Sequence, residues 1–167
     1  LATSFGAKMK SISFSADGET LFSVVELAGN LYLRAMSMKA ILSLASEEDQ
    51  LLYEIKLTTK PNVYHSNVLL FYSAVAQASF LAVTSENNKD QRSALSLYSL
   101  RPDGMAEITK KNFPIGIASL LAASDGSSLA IGFSLDKINT LRSNFLSSRV
   151  SFVSLSSLKP LLSKLKY

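Results

Sequence analysis

The stretch SISFSADGETLFSVVE, Ser11 to Glu26, is an apolar run, a tight turn and a second apolar run, and this order of parts returns twice along the chain. Ile12 and Phe14 alternate with Ser11, Ser13 and Ser15, which is the period of a strand with one buried face. Ala16-Asp17-Gly18-Glu19 is turn chemistry, because Asp and Gly tolerate the left-handed backbone that a hairpin demands. A second strand through Leu21 and Val25 and a turn at Gly29-Asn30 into Leu31-Tyr32-Leu33 make a three-stranded meander. Ala40 to Leu44 is the expected fourth strand. Leu51 to Thr58, after the acidic loop Glu47-Glu48-Asp49, fits either an outer strand of this unit or an insertion.

A related unit runs through Ile117 to Ala123, turns at Ser124-Asp125-Gly126, and continues with Leu129 to Phe133 and later Val150 to Leu155. Asp17 and Asp125 are separated by two periods of roughly 54 residues, and a middle copy falls where that period puts it. It consists of Val68 to Ser73, a turn at Ala76-Gln77, Phe80 to Val83 and Ala94 to Leu100, with a polar excursion at Glu86 to Arg92. Meanders repeating every 40 to 55 residues or so mark propeller blades, four-stranded sheets that cannot bury both faces without neighbours. The expected fold is therefore all-β, a partial β-propeller of about three degenerate WD-like blades at 8–58, 63–113 and 114–167. The markers of common WD repeats are missing, since the chain has no Trp and no Gly-His pair. The competing fold is a β-sandwich. Ile12, Phe14, Leu121 and Ile131 are the expected core positions, and helix is expected only within Ser134 to Ser148.

At 167 residues the chain is long enough for one domain with a core, and 47% hydrophobic against 18% charged residues argues for a packed globule. The net charge of +4 is scattered among thirteen acids, so no block of one sign marks a nucleic-acid partner, although contact with an acidic partner is permitted. No cysteine is present, which removes disulfides, thiolate nucleophiles and thiolate zinc sites. Ser66 to Ser85 holds no charge over about the length of a bilayer helix. Its recurring polar residues and its β-branched and aromatic runs on either side of Ala76-Gln77 instead suit two core strands and a turn. Beginning at Leu1 without a charged start, the chain is expected to lack a signal peptide and to be a trimmed piece of something longer.

Catalytic constellations are missing from the sequence. His65 is the only histidine, and Tyr64 and Ser66 beside it suggest a structural or solvent-facing position at the start of a strand. Gly132-Phe133-Ser134-Leu135-Asp136 begins like a nucleophile elbow and fails at its last position. Asp17 and Asp125 read as turn residues of equivalent hairpins two blades apart, too distant to act on one bond. No cofactor is expected. Lys110-Lys111 is placed in a connection between blades, and the tail Leu158 to Tyr167 reads as a last strand with a frayed end. The candidate for partner binding is the long excursion from Ser134 to Arg149, whose Lys137, Arg142, Phe145 and Arg149 combine cations with an apolar face.

In order, Met9 to Gly18, the uncharged double strand around Tyr72 and Ala82, Ile115 to Ser119 with Asp125-Gly126, and Val150 to Lys159 resemble the later blades of one propeller family. That family is the endoplasmic-reticulum guanine-nucleotide exchange factor for the Sar-type GTPase, the prolactin-regulatory-element-binding protein family. The resemblance implies a seven-bladed propeller on the cytosolic face of the endoplasmic reticulum, held by a C-terminal membrane helix absent from this chain. It also implies a small GTPase as partner, opened for nucleotide exchange so that COPII coats assemble. The family's GTPase-contacting loop, which organises a potassium ion, belongs to an early part of its propeller and has no match here, so no site residue is carried over. The expectation is a protein-binding propeller fragment, not an enzyme and inert in exchange by itself, that needs further blades or a companion chain. The alternatives are a generic scaffold or adaptor, which changes only the partner, and a propeller hydrolase, for which one histidine is too little.

Overall fold

A computed structural model describes residues 7–57, 60–87, 89, 92–114, 116–134 and 149–154. The first sheet is a meander of β1 (Lys8–Phe14), β2 (Thr20–Leu27), β3 (Asn30–Ser37) and β4 (Leu51–Leu57), paired antiparallel in that order. The second repeats the plan with β5 (Val63–Ser73), β6 (Ala78–Asn87), β7 (Ser93–Arg101) and β8 (Gly104–Phe113). The third has β9 (Gly116–Ala122), β10 (Ser128–Ser134) and β11 (Arg149–Ser154) among the described residues.

Sheets of this kind have two faces to cover, and the three stack to cover them. One face of the first sheet, with Phe22, Val24, Leu33 and Ala35, packs on Leu70, Leu81 and Val83 of the second. The opposite face of the second, with Phe71, Phe80, Ala82 and Leu97, packs on Ile117, Leu129 and Ile131 of the third. The first strands of the sheets lie side by side, β1 next to β5 and β5 next to β9. Side chains tie them together: Ser11 Oγ accepts from Leu70 N at 2.9 Å, and Asn67 Nδ2 donates to Ile117 O at 3.2 Å. Face-packed antiparallel meanders with their first strands side by side are the architecture of β-propeller blades. The chain is an all-β partial propeller.

Both Asp-Gly turns form as their chemistry requires. Asp17 Oδ1 accepts from Glu19 N at 3.0 Å and Asp125 Oδ1 from Ser127 N at 2.9 Å, while Gly18 and Gly126 take positive φ. The uncharged stretch after Ser66 is the β5–β6 hairpin, turning at 74–77, and no helix among the described residues is long and apolar enough to cross a membrane.

Four expectations are corrected. Ala40 to Leu44 is no strand: α1 (Met38–Leu42) occupies it, capped by Ser37 Oγ, which accepts from Ala40 N, and Leu51 to Leu57 supplies the fourth strand instead. The acidic Glu47-Glu48-Asp49 lies in α2 (Glu47–Gln50), capped by Ser46, so helix is not confined to Ser134 to Ser148, a range that lies outside the described residues except for Ser134. Lys110 and Lys111 sit within β8, not in a connection; lysines on an outermost strand discourage edge-to-edge pairing. Finally, Ile12, Phe14 and Leu121 are largely exposed while Ile131 is fully buried. Alternation separates two faces of a strand without saying which one meets a neighbour; on β1 the serine face, through Ser11, meets the second sheet. The tail from Leu158 onward lies outside the described residues.

Candidate functional site

The Asp-Gly hairpins gather at one end of the sheets. At the other, the entry end, β1, β5 and β9 begin and the chain crosses from β4 to β5. Each of these first strands carries one extra residue in its leading half: Lys10, Ser66 and Ala118 have no cross-strand partner. Bulges bend a strand and re-aim side chains, and two of the three face the same cleft.

That cleft, of about 490 Å³, opens between the first two sheets and is lined by Lys10, Glu26, Asn30, Lys56, His65 and Asn67 among others. Lys10 reaches Glu26 at 2.6 Å, and this bond and charge hold the Glu26 carboxyl below its ordinary range. Below it, Ser66 Oγ lies 2.8 Å from Thr84 Oγ1, which also accepts from Asn67 N at 2.8 Å and Asn67 Nδ2 at 3.0 Å. Thr84 is fully buried, so one hydroxyl knots the bulge to β6, and Asn67 extends the knot to β9. Tyr64 donates its hydroxyl proton to the buried Glu86 at 2.8 Å.

His65 separates this cleft from a second one of about 610 Å³ and lines both. Its Nε2–H donates to Leu57 O at 3.3 Å, leaving Nδ1 as a buried acceptor with no hydrogen-bond partner. Burial holds the imidazole below its ordinary pKa, the Leu57 carbonyl pulling the other way. The second cleft is bordered by Lys60, Arg92 and Lys110, with Glu107 as its carboxylate. Tyr98 on its wall is pushed up by burial, with the charge of Glu107 acting in the same direction. Together the two clefts present Lys10, Lys56, Lys60, Arg92 and Lys110 against Glu26 and Glu107, a basic excess at one end of the molecule.

The expected partner-binding residues are not brought into view. Lys137, Arg142 and Phe145 lie outside the described residues, and of Arg149 only its backbone place is described, paired with Phe133. Nor did sequence reasoning find the clefts, which depend on bulges and on residues brought together from β1, β4, β5 and β8. Among the described residues no group of three or more His, Asp or Glu is placed to hold a metal ion.

No protein-family model matches the sequence, and no curated protein matches it. Among solved structures, the chain is similar to a Bacteroides fragilis protein assigned as a 6-phosphogluconolactonase, with a TM-score of 0.51 at 10% identity over 92% of this chain and 44% of that one. It also matches the β-propeller domain of Cps50 (Swd1) from Myceliophteria thermophila, with a TM-score of 0.48 and 12% identity over 76% of this chain and 35% of that one. The WD40 domain of SCAP from fission yeast matches with a TM-score of 0.45 and 12% identity, over 86% of this chain and 33% of that one. The chain spans less than half the length of each. At 10% identity the likeness to the Bacteroides protein is one of fold alone.

Proposed function

We propose that the chain is a protein-binding module built on propeller blades, and that the paired clefts at the entry end dock an acidic segment of a partner protein. The observation that carries this reading is the basic excess of Lys10, Lys56, Lys60, Arg92 and Lys110 around two adjoining concavities. Charge concentrated at a concave surface raises the local concentration of an oppositely charged partner and speeds its encounter. The polar groups deeper in are engaged in internal bonds: Tyr64 with Glu86, Asn67 with Thr84, and His65 Nε2 with Leu57 O. These arrangements hold a surface in shape and suit recognition better than turnover. The lactonase description of the Bacteroides protein stays with that protein, since the likeness reaches the fold only.

The partner proposed from the sequence resemblance is a Sar-type GTPase, and the proposed location is the cytosolic face of the endoplasmic reticulum. The stretch from Ser134 to Arg149 leaves and rejoins the third sheet at the entry end, so Lys137, Arg142, Phe145 and Arg149 are proposed to add to the same surface. Exchange requires a preference for the nucleotide-free GTPase, and the family loop that supplies it has no match here. Binding without acceleration of nucleotide release is the expected behaviour.

The test is fluorescence anisotropy with the purified, labelled GTPase over a series of ionic strengths. Binding that weakens with salt, and that drops about tenfold or more in Lys56→Glu/Lys60→Glu/Lys110→Glu, supports the reading. Binding indifferent to the triple reversal removes the clefts as the site. No binding at low salt removes the GTPase as partner and leaves the adaptor alternative.

A further inference from the structure

Lys10 owes its place in the first cleft to a break in strand pairing. Ser11 faces the second sheet, where its Oγ accepts from Leu70 N, and strict alternation would turn residue 10 to the opposite face. The extra residue in β1 suspends that alternation: Met9 pairs with Val25, Ser11 with Val24, and Lys10 with nothing on β2. Glu26 lies two residues past the buried Val24, on the face that meets the second sheet. The bulge thus brings Lys10 into the cleft where Glu26 stands, and the two meet at 2.6 Å.

The ordinary cross-strand partner of Glu26 is Lys8, directly opposite on β1, yet Lys8 contributes its charge without forming an ion pair. The bond goes to Lys10 instead, inside the cleft, with the two side chains 33% and 35% exposed. Among the described residues the other lysines of the two clefts, Lys56, Lys60 and Lys110, make no ion pair. One cation of the basic end therefore already holds a carboxylate, at a place open enough for a ligand to reach.

We propose that Lys10 is the subsite for an aspartate or glutamate side chain of the partner's acidic segment, and that Glu26 is its internal stand-in, displaced when the partner docks. The inference rests on the reading of the paired clefts as the docking surface for such a segment and names the contact inside them. A carboxylate is the occupant because a carboxylate is what the site holds, at the distance of a charge-assisted hydrogen bond. The same arrangement restrains binding: while Glu26 occupies Lys10, an incoming carboxylate meets a neutralised cation with a negative charge beside it. Affinity is reduced by the fraction of molecules in which Lys10 is free, and for a partly exposed pair of this kind the reduction is about two- to sixfold. Repulsion by Glu26 itself adds to that.

The test is fluorescence anisotropy of a labelled hexaglutamate peptide at low salt, with wild type, Glu26→Gln and the double variant Lys10→Met/Glu26→Gln. Glu48→Gln, in α2 at the other end of the sheets, makes the same change in net charge away from the clefts. Glu26→Gln keeps the side-chain shape at a partly exposed position, so it should keep the wild-type circular-dichroism spectrum. It should bind the peptide about threefold or more tightly than wild type does. Glu48→Gln should bind as wild type, and the double variant no more tightly than wild type. A Glu26→Gln variant without the gain overturns the proposal, as does a gain matched by Glu48→Gln or one kept when Lys10 is gone. If Lys56→Glu/Lys60→Glu/Lys110→Glu abolishes peptide binding while Glu26→Gln gives no gain, this inference falls and docking at the clefts stands. Peptide binding by none of the forms overturns both.

Discussion

Gly18 and Gly126 occupy equivalent turn positions with nearly the same backbone, φ +71° and +65°, yet their surroundings differ. A Cβ on Gly18 would meet nothing within 4 Å. A Cβ on Gly126 would run into Tyr72 O and Ser73 Cα, backbone atoms of the neighbouring sheet, closer than any real Cβ comes. Replacing each with Ala therefore separates two effects. Gly18→Ala carries only the left-handed backbone penalty, about 1–2 kcal/mol for a residue with a side chain. Gly126→Ala carries the same penalty plus an overpacking cost of roughly 1–3 kcal/mol, because backbone cannot rotate out of the way. The expected losses are thus about 1–2 kcal/mol for Gly18→Ala and about 2–5 kcal/mol for Gly126→Ala. Urea unfolding followed by far-ultraviolet circular dichroism measures both, the shift being read from the midpoint at constant slope. Equal losses for the two variants would refute the close approach of the third hairpin to β5, and with it the contact in which Ala74 N donates to Asp125 O at 2.9 Å.

Three further outcomes are expected. Phe80, fully buried and stacked on Phe71 at 5.5 Å between the second and third sheets, should cost about 3–5 kcal/mol as Phe80→Ala in the same urea assay. His65 binds its proton less readily folded than unfolded, so stability should hold above the unfolded pKa of about 6.5 and fall as pH drops from there toward the lower folded value. His65→Gln should flatten that part of the profile, and an unchanged slope would contradict the burial of the ring. Tyr53, whose hydroxyl lies 2.9 Å from Arg101 O and 3.2 Å from Gly104 O, is pushed up to about 12 by burial and by the charge of Asp103. Ultraviolet titration should show one tyrosine ionising near that value, lost in Tyr53→Phe, and stability should decline between the unfolded pKa of about 10 and the folded one.

What could be read from the sequence follows from which signals are local. Asp17-Gly18 and Asp125-Gly126 fix their hairpins within a few residues, so the meanders and their recurrence were visible. The helix at Met38–Leu42 was missed because Ala40-Ile41-Leu42 suits strand and helix alike, and the decision lies with the Ser37 cap. Ile12, Phe14 and Leu121 were misplaced because exposure on an end blade depends on a neighbour that no local pattern describes. The same holds for Ser11, which looks like a solvent-side serine and instead accepts a bond from the backbone of the next sheet. The clefts were invisible for a related reason: bulges at Lys10 and Ser66 border the first cleft, and the Asn67–Thr84–Ile117 knot ties the β5–β6 hairpin to β9, about fifty residues further along the chain.

The central claim is that the second sheet is sandwiched, one face on the first sheet and the other on the third. Nuclear Overhauser contacts from adjacent residues of β6 test it most directly, because Phe80 and Leu81 point to opposite faces of the same strand. The account predicts that the Phe80 ring contacts the Leu129 and Ile131 methyls and none in the first sheet. Leu81 should contact Leu33 and Val24 and none in the third. Contacts from both residues to the same sheet, or an Leu81 side chain without partners across a junction, would contradict it.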